Sequence, residues 1–146
     1  MKPKVAISAC LMGRECRYDG KENRDEELLS QLEGYTLVPF CPEEFCYGTP
    51  RPTMDLVSDG DATRAISNLT DADMSSPIEA YAEAFFDTHS DIELFIGKDR
   101  SPSCGVNSAK IYDRDKNLTS TTGTGLMAEV ASKHQIESYD ATSFGR

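Results

Sequence analysis

Three of the five cysteines follow runs that read as β-strands, and thiols placed in this way can do chemistry. Cys10 follows Val5-Ala6-Ile7-Ser8-Ala9, and Cys41 follows Tyr35-Thr36-Leu37-Val38-Pro39-Phe40. Cys104 lies in Arg100-Ser101-Pro102-Ser103-Cys104-Gly105, just beyond Ile92-Glu93-Leu94-Phe95-Ile96-Gly97. In an open parallel sheet, ligands gather outside the carboxyl ends of the strands. Three strands ending this way can bring together three thiols that are far apart in the chain. Three thiolates leave one position open on a four-coordinate metal, or one corner of an iron–sulfur cluster, and an open position is where chemistry happens.

The other cysteines read differently. Free cysteine is among the most buried residue types, so any single one is more often packing than chemistry. Cys46, between Phe45 and Tyr47, fits that description. Cys16 shares a loop with Cys10, but Cys-x5-Cys is not a strong metal spacing, and its role stays open. A closed zinc site normally uses two paired Cys-x2-4-Cys knuckles, and only one such spacing, Cys41-x4-Cys46, occurs here. Scattered thiols better fit a cluster held in a cleft. His89 and His134 fall in or near helix ends, away from the cysteine loops, and read as surface or capping residues.

The elements that must position these thiols follow from the pattern. Residues 4–9 are β-rich with little alternation, which suits a strand buried on both faces. Residues 23–32 read as a short helix with Leu28, Leu29 and Leu32 on one face. Residues 35–40 form a second strand. Residues 41–52 hold three prolines and a glycine and read as a long shaped loop. Residues 55–68 suit a small hairpin that turns at Ser58-Asp59-Gly60. Ser76 as N-cap, Pro77 at the first position and Glu79 predict a helix to about Thr88, burying Ile78, Tyr81, Ala82, Phe85 and Phe86. A third strand covers 92–97, and short strands cover 109–112 and 135–139. A last helix starts at Thr124 or Gly125 and runs to about Lys133, and the tail 141–146 reads as loose. Strands alternating with helices imply right-handed crossovers. The fold expected is α/β: one small domain over 1–146, a mostly parallel sheet flanked by helices (Rossmann-like), with the site at the strand C-terminal ends.

Composition narrows the function class. With 146 residues the chain suits one ordinary domain. No apolar run approaches the ~20 residues that span a bilayer, and Met1-Lys2-Pro3-Lys4 does not resemble a signal peptide. A cytoplasmic protein with reduced thiols is therefore expected. The net charge of −10 repels phosphate backbones and counts against general nucleic-acid binding. Arg14, Arg17, Arg51, Lys98 and Arg100 nevertheless sit beside the cysteine motifs. As a group they could hold an anionic substrate or screen a negatively charged cluster.

Val5-Ala6-Ile7-Ser8-Ala9-Cys10-Leu11-Met12-Gly13 with Cys16-Arg17-Tyr18-Asp19-Gly20 resembles the opening motif of the thiouracil desulfidase (TudS-like) family. Val38-Pro39-Phe40-Cys41-Pro42-Glu43 with Thr49-Pro50-Arg51-Pro52 is similar to the second motif. Lys98-Asp99-Arg100-Ser101-Pro102-Ser103-Cys104-Gly105 resembles the third, and Gly123-Thr124-Gly125-Leu126 the closing one. The resemblance implies a [4Fe–4S] cluster on Cys10, Cys41 and Cys104, with one iron not ligated by protein. It implies non-redox hydrolysis of C=S to C=O in a small thiolated uracil-type base, with release of hydrogen sulfide. Glu43 and Ser101 match the positions expected to act in catalysis. Tyr18, Arg51 and Ser103 are the expected substrate contacts. Two alternatives remain: the same chemistry on thiolated transfer RNA, or a non-enzymatic metal-binding or redox-sensing module.

Overall fold

The computed structural model describes residues 2–60 and 62–145. Four strands form a fully parallel sheet: β1 (Lys4–Ser8), β2 (Thr36–Phe40), β5 (Ile92–Gly97) and β8 (Glu137–Asp140), in the order β2-β1-β5-β8. After β1 the chain crosses to β2 on one side, and later strands add on the other side. The carboxyl edge between β1 and β5 is therefore a topological switch point, where α/β sheets bind ligands.

Both faces of this sheet are buried, which explains the unbroken apolar runs. Val5, Ile7, Leu94 and Ile96 pack on one face with Leu28 and Leu32, next to helix α1 (Glu26–Gln31). Ala6, Phe40 and Phe95 point the other way, against helices α3 (Ser75–Thr88) and α4 (Leu126–Lys133). Phe40 stacks on Phe95 with centroids 4.9 Å apart and meets Phe85 edge-on at 5.8 Å. Such pairs add about 0.5–1.5 kcal/mol each beyond area burial.

A second, mixed sheet has the order β4-β3-β6-β7, from β3 (Met54–Ser58), β4 (Thr63–Ser67), β6 (Ala109–Tyr112) and β7 (Leu118–Gly123). β3 and β4 make the expected antiparallel hairpin, while β3 and β6 pair in parallel. The sequence reading missed β7. Its residues Leu-Thr-Ser-Thr-Thr-Gly are mostly exposed and carry no apolar alternation, and its pairing with β6 is irregular. α3 and α4 join the two cores. Ile78 and Leu126 pack under the second sheet, whereas Ala82, Phe86, Met127 and Ala131 pack under the first.

Three expectations need correction. Residues 41–52 are not all loop, because α2 (Pro42–Tyr47) forms there with Cys41 as its N-cap residue. Pro42 occupies the first helical position, where its missing N–H costs nothing and its fixed φ suits the helix. α3 starts at Ser75, so Ser76 is not the N-cap. The Ser75 hydroxyl is instead taken by the Ala65 amide at 2.7 Å, and its own amide donates to Asp73 Oδ1 at 2.9 Å. The tail is partly anchored: Ala141 is buried, and Phe144 meets Tyr139 edge-on at 5.6 Å. Arg146 lies outside the described residues. Among the described residues, no helix is long and apolar enough to cross a membrane.

Candidate active site

The carboxyl ends of β1, β2 and β5 lie at one edge of the parallel sheet, and a cavity of about 290 Å³ opens there. Cys10, Cys41 and Cys104 all line it, together with Cys16, Glu43 and Ser101. Cys10 sits in a single 3₁₀ turn (Ala9–Met12) that follows β1 directly. The Asn23 amide donates to the Cys10 carbonyl at 2.9 Å, and the Ser8 hydroxyl lies 3.6 Å from the Cys10 sulfur. Cys41 follows β2, and the Tyr81 hydroxyl accepts its amide at 3.3 Å.

Cys104 is held most tightly. A Cβ on Gly97 would stand 1.8 Å from the Cys104 carbonyl oxygen, and one on Gly125 would stand 2.7 Å from the Cys104 amide nitrogen. Only glycine permits that approach. The carbonyls of this loop cap the start of α4: Pro102 O accepts from Leu126 N at 3.0 Å, and Ser103 O from Met127 N at 2.7 Å. From the other side, buried Asp140 at the end of β8 accepts Val106 N at 2.8 Å, Asn107 N at 2.9 Å and Ser108 Oγ at 2.7 Å. The Ser108 hydroxyl in turn accepts the Arg100 amide at 2.8 Å, where the backbone takes a positive φ of 66°.

The thiols differ electrostatically. The Cys16 thiol hydrogen-bonds to Cys10 and lowers its pKa to about 6 against the opposing effect of burial, with help from Ser8, Asn23 and Lys98. The same Cys16 thiol lowers Cys41. Cys16 itself is pushed far up by these two neighbours and keeps its proton. Burial, followed by the charge of Glu43, raises Cys104. Cys16 is thus a hydrogen-bonding neighbour of two cavity thiols, a role its spacing did not reveal. Cys46 packs with Tyr47 and Met74 under the second sheet, and burial raises its thiol pKa.

Glu43 stands at the first turn of α2, facing the cysteines. The Ser103 hydroxyl donates to its Oε2 at 2.8 Å, and the Ser101 hydroxyl lies 3.4 Å from the same oxygen. Ser101 Oγ also accepts the amides of Ser103 at 3.2 Å and Cys104 at 3.1 Å. Glu43 Oε1 faces Arg51 Nε at 3.6 Å. The Arg51 side chain is only 6% exposed, and its Nε is buried without a hydrogen-bond partner. Tyr18 lies at the cavity mouth, 43% exposed, with the Arg17 guanidinium 5.6 Å from its ring centroid. Ser103 differs from the other expected substrate contacts, since it is fully buried, does not line the cavity and spends its hydroxyl on Glu43.

The donor set is soft and spread out. No three His, Cys, Asp or Glu side chains among the described residues are grouped closely enough to hold a single metal ion. One tetrahedral ion would draw its thiolates to roughly 3.8 Å from one another. Three thiols around a wider cavity suit a larger group with several metal atoms.

The chain belongs to the 2-thiouracil desulfurase family, whose model matches residues 5–142. It is an enzyme of the thiouracil-desulfurase kind. A solved structure of TudS, a [4Fe–4S]-dependent thiouracil desulfidase, superimposes with a TM-score of 0.76. It is 26% identical, and the match covers 98% of this chain and 93% of that one. The uncharacterized protein YbbK of Bacillus subtilis (strain 168) is 28% identical over 132 residues, which is 85% of this chain and 86% of YbbK.

Proposed function

We propose that this protein hydrolyses the C=S bond of a free thiolated uracil-type base to C=O with release of hydrogen sulfide, and that it does so in the cytoplasm. The observation that carries this reading is the meeting of three strand-end thiols with a serine-held carboxylate in one cavity. Cys10, Cys41 and Cys104 would hold a [4Fe–4S] cluster, with one iron left free of protein ligands. When bound, the cluster supplies a Lewis-acidic site with affinity for soft thiocarbonyl sulfur.

The chain's own groups supply the rest. Glu43 accepts the proton of the attacking water as general base. Ser101 Oγ already accepts two backbone amides, so its own proton is free to turn toward Glu43 or the water. Arg51 offers a buried N–H to an acceptor oxygen of the substrate. The half-exposed Tyr18 ring provides a flat face for a pyrimidine. Hydrolysis consumes one water and needs no electron donor.

The experiment uses protein purified without oxygen. About four irons and four acid-labile sulfides per chain are expected. Glu43→Gln should keep both and lose about 10²–10⁴-fold in turnover. Undiminished turnover in that variant would remove Glu43 as the base.

A further inference from the structure

We infer that Ser103 is a positioning residue that fixes the catalytic carboxylate of Glu43, an inference that rests on the base role proposed for Glu43. Sequence reasoning placed Ser103 against the substrate, yet the geometry turns it away from the cavity and onto Glu43. Its hydroxyl is the shorter of the two serine contacts to Oε2, at 2.8 Å against 3.4 Å for Ser101. The Ser103 contact has an ordinary O–H···O length, whereas the Ser101 contact lies beyond the usual range of about 2.5–3.0 Å. Ser101 has a divided task, because its oxygen also caps two amides of the Cys104 loop.

Ser103 is suited to hold something still. It is fully buried, its amide is bound by Ser101, and its carbonyl accepts from Met127 at 2.7 Å. Gly125 lies so close that a Cβ there would stand 2.5 Å from the Ser103 carbonyl carbon. A residue clamped on three sides gives its partner little freedom. With Oε2 bound to Ser103, Glu43 presents Oε1 on the side of Arg51 in the cavity wall. A general base must lie within hydrogen-bond reach of the proton it takes, and a misplacement of about 1 Å can cost roughly 10²-fold. Ser103 therefore selects which oxygen of Glu43 does the work and where it sits.

The test is a double-mutant cycle in protein carrying its cluster, with thiouracil as substrate. Ser103→Ala should lower kcat by about 10- to 100-fold with KM changed less than about twofold. Iron, acid-labile sulfide and the thermal midpoint should stay near the parent values. In the Glu43→Gln background the same Ser103→Ala change should cost nothing further, because the side chain it positions no longer acts as a base. An equal loss in both backgrounds would overturn the inference and leave the base role intact, since Ser103 would then act independently of Glu43. Unchanged kcat in Ser103→Ala alone would also overturn it. Normal turnover in Glu43→Gln would instead remove the base role, and the inference with it. Loss of iron or a lowered midpoint in Ser103→Ala would mark a structural role and count against positioning.

Discussion

Each cysteine occupies a different environment, and substitution should sort them. Cys10, Cys41 and Cys104 border the cavity at three strand ends, and replacing any of them by serine removes a soft donor. Cys104→Ser should fail to retain iron on anaerobic purification. Cys46→Ser should retain the full complement, because Cys46 sits under the second sheet away from that cavity. Iron analysis of the two variants side by side checks this, and equal iron in both would contradict the ligand assignment. These three thiols were legible because each follows an apolar run, a local signal that the parallel sheet converts into proximity. Cys16 was not legible, since its contacts with Cys10 and Cys41 arise from the fold of the 13–23 loop rather than from any spacing. For Ser103 the motif gives its neighbours in sequence, but not the direction in which its side chain points.

At the scale of elements, the Cys104 loop is clamped between β5, β8 and α4, and the clamp has identifiable parts. Gly97→Ala would drive a methyl into the Cys104 carbonyl, with no flexible side chain to yield. It should destabilise by several kcal/mol, as overpacking of backbone does, and lower iron retention. Gly34→Ala is the control, because nothing lies within 4 Å of the added carbon. Asp140→Ala leaves the Val106 and Asn107 amides and the Ser108 hydroxyl without their acceptor. Only the Val106 amide is fully buried, and an unpaired buried donor costs about 1–3 kcal/mol, so a loss in that range is expected in urea unfolding. A change below about 0.5 kcal/mol would show that the loop is held by other contacts. Asp140 had no motif to announce it; only its place at the carboxyl end of β8, beside β5, marks it. The first three parallel strands were readable from hydrophobicity. α2 was hidden because prolines were counted as breakers, although Pro42 stands where proline starts a helix. β7 was hidden because an exposed polar strand carries no burial pattern.

For the whole molecule, the three proposed ligands on three separate strand ends would tie cofactor binding to the folded state. The unfolded chain scatters these thiols, so a group bound by all three stabilises the native protein by mass action. Removing iron by chelation without oxygen should lower the thermal midpoint by at least about 5 °C, because 1 kcal/mol corresponds to roughly 2–4 °C at this size. Calorimetry before and after chelation checks this, and an unchanged midpoint would mean that the cysteines do not share a bound group. The overall charge of −10 coexists with a small local group of cations, Arg17, Arg51, Lys98 and Arg100, which line the cavity. That distribution favours a small substrate over a polyanion, and thiolated transfer RNA should not be retarded in a gel shift near 0.1 M salt.

The most direct test of the central claim is product analysis after protein with a reconstituted cluster is mixed with thiouracil under anaerobic conditions. The account predicts uracil and sulfide in equal amounts, formed over many turnovers with no added reductant. Intact thiouracil after prolonged incubation with protein carrying about four irons per chain would contradict it.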